Sequence, residues 1–320
     1  MRSLIYASML LLLSGFFLQS SVHAEDKIRI GFPGVAANFL SVPLGQKKGF
    51  FQEEGLQVEY IRMDAGLPAL VSGAIDYHAN LGPGVTAAIR GIPVKVVACY
   101  VPRSPTALIA RPEFKSVQEL RGQTIGLQIL GGSLMGTARL IFNHFGLDPD
   151  KEIKFLATGV TERRFAFMNQ GLTAATLSGP PNDFLGKKMG FVVLARADEL
   201  FSYPVGGLVA SVRKIKERPD EIKRVINAGI KANRYIHQNR EGTIQVMVEW
   251  MKIDKELATA TYESAWKAFN EDGSVPEDGL RLVIEQAKKE AQVNRDVAIN
   301  EIADLTILRE AQKELGIKEK

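Results

Sequence analysis

The spacing of apolar residues changes character several times along this chain, and the changes outline an architecture. Residues 27–32 (Lys-Ile-Arg-Ile-Gly-Phe) alternate at period two, which predicts a strand. Pro33-Gly34 breaks the pattern. A helix ending near residues 47–51 follows, then a short one closed by Gly55. Further strands are predicted at 57–61, 75–79 and 94–101. Between them lie a short helix at 68–72 and another from Gly82-Pro83-Gly84 through Arg90, ended by Gly91. Strands alternating with helices at this spacing predict an α/β fold with a largely parallel sheet.

A similar rhythm restarts after Pro112. Ser116 and Glu119, three apart, read as a capping box. Strands are predicted at 123–129, 153–156, 174–177 and 191–194. Gly131-Gly132-Ser133 opens a helix to about Phe145, Thr161 caps one ending before Gly171, and residues 178–181 form a turn. From Pro219 onward only helices are predicted. Ile222, Val225, Ile226 and Ile230 share one face behind a helix-starting proline. Later helices fall at 255–269, 277–292 and 305–315. A helical tail must bury its apolar faces, and the first α/β unit is the natural surface. The expected organisation is a discontinuous first lobe (25–108 and 207–320, with the C-terminal helices) and an inserted second lobe (109–206).

The N-terminus adds an address. Arg2 precedes an apolar run over residues 4–18, Val22 and Ala24 put small side chains at the positions a signal peptidase reads, and Glu25-Asp26 follows. The run is shorter than the ~20 residues a membrane span needs, so residues 1–24 read as a cleaved signal peptide rather than an anchor. No cysteine follows the run, which disfavours a lipoprotein. Export to the periplasm is expected.

Composition narrows the function. With 46% apolar and 24% charged residues the chain is an ordinary globular one. A net charge of +4, with bases interspersed among acids, gives no reason to expect nucleic acid as a partner. The single cysteine, Cys99, rules out an internal disulfide and sits in a strand-like apolar run, as a buried inert thiol would. There is no G-x-S-x-G, P-loop, G-x-G-x-x-G, H-E-x-x-H or C-x-x-C motif. The histidines are widely spaced, and no catalytic residue, metal site or cofactor is predicted. His78, with Asp76 two residues away on one face of a strand, is the one pair an enzyme could use.

What the chain does offer is a set of strand-to-helix turns rich in Gly, Ser, Thr and Pro. In an open α/β sheet, ligands bind off the carboxyl ends of the strands, where helix N-termini present free N–H groups. Each turn alone is explained by turn chemistry; their recurrence in both units points to a binding cleft. Arg163 and Arg164, early in a helix, oppose its dipole and read as solvated, or else as partners of an anionic ligand.

Several stretches together resemble the substrate-binding proteins of nitrate/sulfonate/taurine-type importers of the ABC (ATP-driven) class, a group that includes receptors for thiamine pyrimidine precursors. They are KIRIGFP, KKGFFQEEGLQVEY, LVSGAIDYHANLGPGVTAAIRGIPVKVVACYV and SVQELRGQTIGLQ. The resemblance implies the type II periplasmic binding protein fold, two α/β lobes with a central cleft joined by two crossings. The crossings are expected near 106–111 and 204–211. Carried over position by position, the implied ligand-binding residues are Asn38, Phe39, Gly82, Pro83, Gly131, Gly132, Ser133, Thr158, Gly159, Ser178 and Tyr203. Fungal relatives that make the thiamine pyrimidine use a cysteine cluster and a catalytic histidine; one cysteine here does not support that activity.

The function expected is therefore capture of a small, anionic or heteroaromatic solute by lobe closure, without chemistry. The partners are the solute and an ABC permease with its ATPase subunit. The chain is expected to be monomeric, with no stable membrane insertion. The alternative is an exported enzyme on the same fold acting on a small pyrimidine- or amine-like substrate.

Overall fold

In the computed structural model the described residues are 25–63 and 66–318, so the expected signal peptide lies outside them. Two five-stranded sheets organise the chain. The first holds β1 (Asp26–Phe32), β2 (Leu56–Arg62), β3 (Tyr77–Asn80), β4 (Val94–Val101) and, much later, β10 (Gly206–Ser211), in the order β2-β1-β3-β10-β4. The second holds β5 (Ala107–Ala110), β6 (Thr124–Leu127), β7 (Lys154–Ala157), β8 (Ala175–Ser178) and β9 (Val192–Arg196), in the order β7-β6-β8-β5-β9. The pattern is the same in both: a parallel trio, then one antiparallel strand, then an edge strand. The antiparallel strands β10 and β5 are the ones that adjoin the passages between sheets.

This places the crossings more sharply than the sequence did. Of the crossings expected near 106–111 and 204–211, residues 107–110 and 206–211 are strands, since their backbone groups pair within the sheets. The chain leaves the first sheet after Val101 and returns before Gly206. The two passages run side by side: Tyr203 N donates to Pro102 O (2.9 Å), Val205 N to Val101 O (3.0 Å) and Ala197 N to Thr106 O (2.9 Å).

Helices cover both faces. In the first lobe these are α1 (Ser41–Lys47), α2 (Phe50–Glu53), α3 (Gly66–Ser72) and α4 (Leu81–Ile89). In the second they are α5 (Gly132–His144), α6 (Thr161–Asn169), α7 (Asn182–Lys188) and α8 (Ala197–Leu200). The sequence pattern predicts no helix at α7, only the turn before it. Gly186 interrupts the apolar pattern there, and a Cβ on it would press on Ile109 and Phe165, at 3.2 and 3.3 Å. Two expected caps are absent. Ser116 precedes a 3-10 turn at Gln118–Leu120 that contains Glu119, and Glu119 instead accepts from Lys115 N (2.8 Å). Thr161 lies inside α6, and its hydroxyl accepts from Arg164.

After α9 (Val212–Glu217) the tail is helical as expected: α10 (Pro219–Gln238), α11 (Arg240–Met251), α12 (Lys255–Ala265), α13 (Glu277–Ala291), α14 (Ile299–Ile302) and α15 (Thr306–Glu314). The predicted stripe of α10 is its buried face; Ile222, Val225, Ile226 and Ile230 are wholly buried. Each such side chain contributes roughly 1.5–3 kcal/mol. Asn233 on the same helix is a buried polar hub. Its amide nitrogen donates to Tyr100 O (2.8 Å) and Asn270 O (2.7 Å), and its amide oxygen accepts from Ser41 Oγ (2.6 Å). The tail also covers the free edge of β4. Cys99 N donates to Gly273 O (2.9 Å) and Asp304 N to Val96 O (2.9 Å). An unpaired edge would invite association; covered, β4 is buried on both faces, which is why its sequence is almost continuously apolar.

Gly229 of α10 tests this packing. A methyl there would lie 2.1 Å from Tyr100 Cζ. Helix glycine to alanine ordinarily stabilises by about 1 kcal/mol. Here overpacking outweighs it, and Gly229→Ala is expected to lower stability by about 1–3 kcal/mol, read as a lower urea midpoint. An unchanged or raised midpoint would contradict the packing described.

Candidate functional site

A pocket of about 1400 Å3 opens between the lobes. The first lobe supplies α3 and both ends of α4, the second supplies residues 129–133, 135 and 136 at the start of α5, and the tail supplies one face of α13. Its walls are largely apolar: Leu67, Val71, Ile92, Ile129, Leu130 and Val283. Val71, Ile129 and Leu130 are 50%, 60% and 56% exposed, large apolar side chains left uncovered. Concave apolar walls with a few polar groups are the usual make-up of a small-molecule site.

Six of the eleven residues expected at the site line this pocket: Gly82, Pro83, Gly131, Gly132, Ser133 and Tyr203. Gly82 and Pro83 form the first turn of α4, held against the second passage by Leu81 N donating to Val205 O (3.1 Å). Gly131 and Gly132 have φ of +128° and +69°, a region that glycine enters without the Cβ clash other residues suffer. They turn the chain from β6 into α5 and bring Ser133 across to the other lobe. A Cβ on Gly82 would lie 2.4 Å from Ser133 Oγ, so the lobes already touch here. Tyr203, in the second passage, is buried with its hydroxyl 2.7 Å from where a Cβ on Gly136 would stand. Burial raises its phenol pKa, and the Glu290 carboxylate adds to the effect.

The other five lie outside the lining. Phe39 is buried in the first lobe's core, its carbonyl accepting from Tyr60 OH (3.2 Å). Asn38 presents its carbonyl to Gly206, where a Cβ would come within 2.3 Å. Thr158 is buried, and its hydroxyl donates to Leu127 O (3.1 Å). Gly159 continues the pairing by donating to Gln128 O (3.2 Å). Ser178 ends β8, buried and paired with Ala107. At Phe39, Thr158 and Gly159 the polar groups near the turns close the backbone around the strand ends instead of lining the pocket.

Sequence reasoning missed the contribution of α13. Val283, Gln286, Ala287 and Glu290 line the pocket from one helix face, at the i, i+3, i+4, i+7 spacing. Val283 and Ala287 are buried, Gln286 is half-buried and Glu290 is exposed, and the surface that this face meets is not readable from spacing. Glu290 Oε1 accepts from Gly132 N (3.2 Å), joining the tail to the N-terminus of α5. Arg139 of α5 is neutralised by Asp150 at 2.5 Å. A second cross-lobe cluster lies outside the pocket lining. Buried Asp183 accepts from Arg196 Nη2 (2.6 Å) and from Ser264 Oγ on α12 (2.6 Å).

Of the two arginines, Arg163 is exposed as expected and Arg164 is not. Arg163 stacks over the Phe167 ring, 5.2 Å from its centroid. Arg164 is buried and not solvated, donating to Leu177 O (2.5 Å) and Thr161 Oγ1 (2.5 Å), and burial lowers its pKa to about 10. Cys99 is buried and its thiol pKa is pushed up by burial, as an inert core thiol requires. Among the described residues no group of three or more His, Cys, Asp or Glu could hold a metal, and no helix is long and apolar enough to cross a membrane. His78 is buried beneath α3 with Nδ1 3.1 Å from Asn80 O, while Asp76 accepts from Arg29 N and Lys214 Nζ.

Two outcomes follow from this geometry. Gly82→Ala should wedge the lobes apart at Ser133, lowering stability by about 1–3 kcal/mol and enlarging the radius of gyration measured by X-ray scattering; an unchanged radius would contradict the contact. For His78, burial holds the imidazole pKa below its ordinary value, against the opposing bond to Asn80 O. A base with a depressed folded pKa contributes stability that is complete above about pH 6.5 and is lost as pH falls toward the folded value. His78→Gln should therefore flatten the fall in melting temperature between about pH 7 and pH 5. Parallel curves for the two proteins would refute the assignment.

Comparison with known proteins bears on the same architecture. A protein from Brucella abortus (strain 2308), named as a binding protein, is 24% identical over 248 residues, covering 75% of this chain and 76% of its own. The periplasmic aliphatic sulphonate binding protein SsuA from Escherichia coli superposes with a TM-score of 0.71 at 18% identity, over 87% of this chain and 97% of that one. The periplasmic nitrate-binding protein NrtA from Synechocystis PCC 6803 superposes with a TM-score of 0.70 at 14% identity, over 90% and 89%. At such identities these structures establish the fold, that of the periplasmic binding proteins. Residues 36–242 match the family model described as NMT1/THI5 like, and the chain belongs to that family.

Proposed function

We propose that this chain is the extracytoplasmic receptor of an ABC importer, capturing a small solute between its lobes and delivering it to a membrane permease with an ATPase subunit. The observation that carries this reading is the pocket walled by both lobes and the tail, with Gly82 and Ser133 in contact across it. A solute held there would bridge the lobes and shift the population toward the closed form, and a permease could recognise that form. Gly82, Pro83, Gly131, Gly132, Ser133 and Tyr203 are the contact residues in this reading. The boundaries of the two lobes follow the passages at 102–106 and 201–205. The leader-like N-terminus and the periplasmic location named for SsuA and NrtA support a periplasmic site of action.

The test is direct. Small molecules released by denaturing the purified protein are identified by mass spectrometry and added back to protein freed of ligand. At about 100 times Kd the solute should stabilise the fold by roughly 2.7 kcal/mol in thermal melts and contract the radius of gyration. It should also be recovered chemically unchanged. Conversion of the solute into a product on incubation would replace this reading with that of an exported enzyme.

A further inference from the structure

We propose that Glu290 sets the charge selectivity of the pocket: its carboxylate occupies the N-terminus of α5, so the pocket takes an uncharged, largely apolar molecule and discriminates against one with an anionic head. The inference rests on the reading of this pocket as the solute site, and narrows it.

Helix α5 runs 13 residues and begins at Gly132. The first-turn N–H groups of a helix lack intrahelical partners and carry a partial positive charge. Such an end is ordinarily complemented by a capping side chain or an acidic residue in the first turn. Here the N-cap is Gly131, which has no side chain, and the first turn holds no acid. The complement comes instead from Glu290, 158 residues away in sequence and on α13, which accepts from Gly132 N at 3.2 Å. A Cβ on Gly131 would lie 3.5 Å from the same oxygen. The position an anionic ligand would seek is thus already filled by a carboxylate of the chain.

The other charged groups on the lining do not reverse this. Arg139 is bound to Asp150. Arg90, Lys289 and Glu290 are all exposed, so water and salt screen each of them, but of the three side chains it is Glu290 that is fixed on the lining by a hydrogen bond, from Gly132 N. Between these groups the walls are Leu67, Val71, Ile129, Leu130, Met135 and Val283, with Tyr203, Gln286 and Ser133 as neutral polar groups. An entering anion would lose hydration to apolar walls and sit beside a like charge, and both effects disfavour it. A neutral molecule meets neither penalty.

The experiment uses two probes with the same ring system and sulfur centre that differ in charge, naphthalene-2-sulfonamide and naphthalene-2-sulfonate. Their binding to the mature chain is measured by titration calorimetry, alongside Glu290→Gln and Glu290→Ala. The wild type should favour the sulfonamide by about tenfold, and both variants should narrow that ratio severalfold by gaining affinity for the sulfonate. The sulfonamide affinity in each variant reports that its pocket is intact. Equal or tighter binding of the sulfonate by the wild type, or an unchanged ratio in both variants, overturns the selectivity and leaves the pocket standing as a solute site. Binding of neither probe overturns the pocket itself as a site for such molecules, and the inference with it.

Discussion

The first sheet cannot be completed until the chain has left it and come back. Strand β10 lies inside that sheet, between β3 and β4, and Leu208, Val209 and Ala210 are wholly buried there. Its backbone satisfies β4 along its full length and β3 at two positions. Without it, β3 and β4 would bury unpaired N–H and C=O groups, which is costly in a protein core. The second lobe is therefore folded between two halves of one sheet. The two passages are fixed side by side, because the strands they join are neighbours in the first sheet. Two adjacent segments joining the lobes are the geometric result.

That constraint also places the pocket. The tail begins where β10 ends, so its helices must pack from the first lobe outward. Most of α10 is spent on the sheet itself, through the Ile222–Ile230 face and the Asn233 hub. The later helices reach the second lobe. Helix α12 brings Ser264 to Asp183 and Arg196, and α13 brings Glu290 to Gly132. The α13 contact closes one side of the space between α4 and α5. The pocket is thus a product of three chain segments, none of which is concave alone.

Local pattern was readable wherever an element answers to one neighbour. The alternation of Ile28 and Ile30 specifies β1, and the stripe through Ile222, Val225 and Ile226 specifies the buried face of α10. Pattern failed where one residue serves two masters. Gly186 interrupts the apolar pattern of α7 where the helix packs on Ile109 and Phe165. Thr161 and Ser116 carry the residue types of caps, yet Thr161 serves the Arg164 guanidinium and Ser116 precedes only a 3-10 turn. Arg164 itself reads as a solvated cation from its place in the sequence, and is buried because the end of β8 offers it the Leu177 carbonyl.

The sequence by itself determined the period of β1–β4 and β6–β9, the restart of the α/β rhythm, the helical nature of the tail and the family resemblance, because these depend on contacts within a few residues or on motifs. It also supplied the glycine-rich turns at 82–83 and 131–133, since only glycine adopts the φ that the second of them requires without strain. Tertiary structure decided which turns meet. Asn38, Thr158 and Ser178 look the same in sequence as Gly82 and Ser133, yet only the latter pair faces the shared pocket. Their difference arises from the return of β10 and the reach of α13, contacts more than a hundred residues apart, and a pairing at that separation leaves no trace in local spacing.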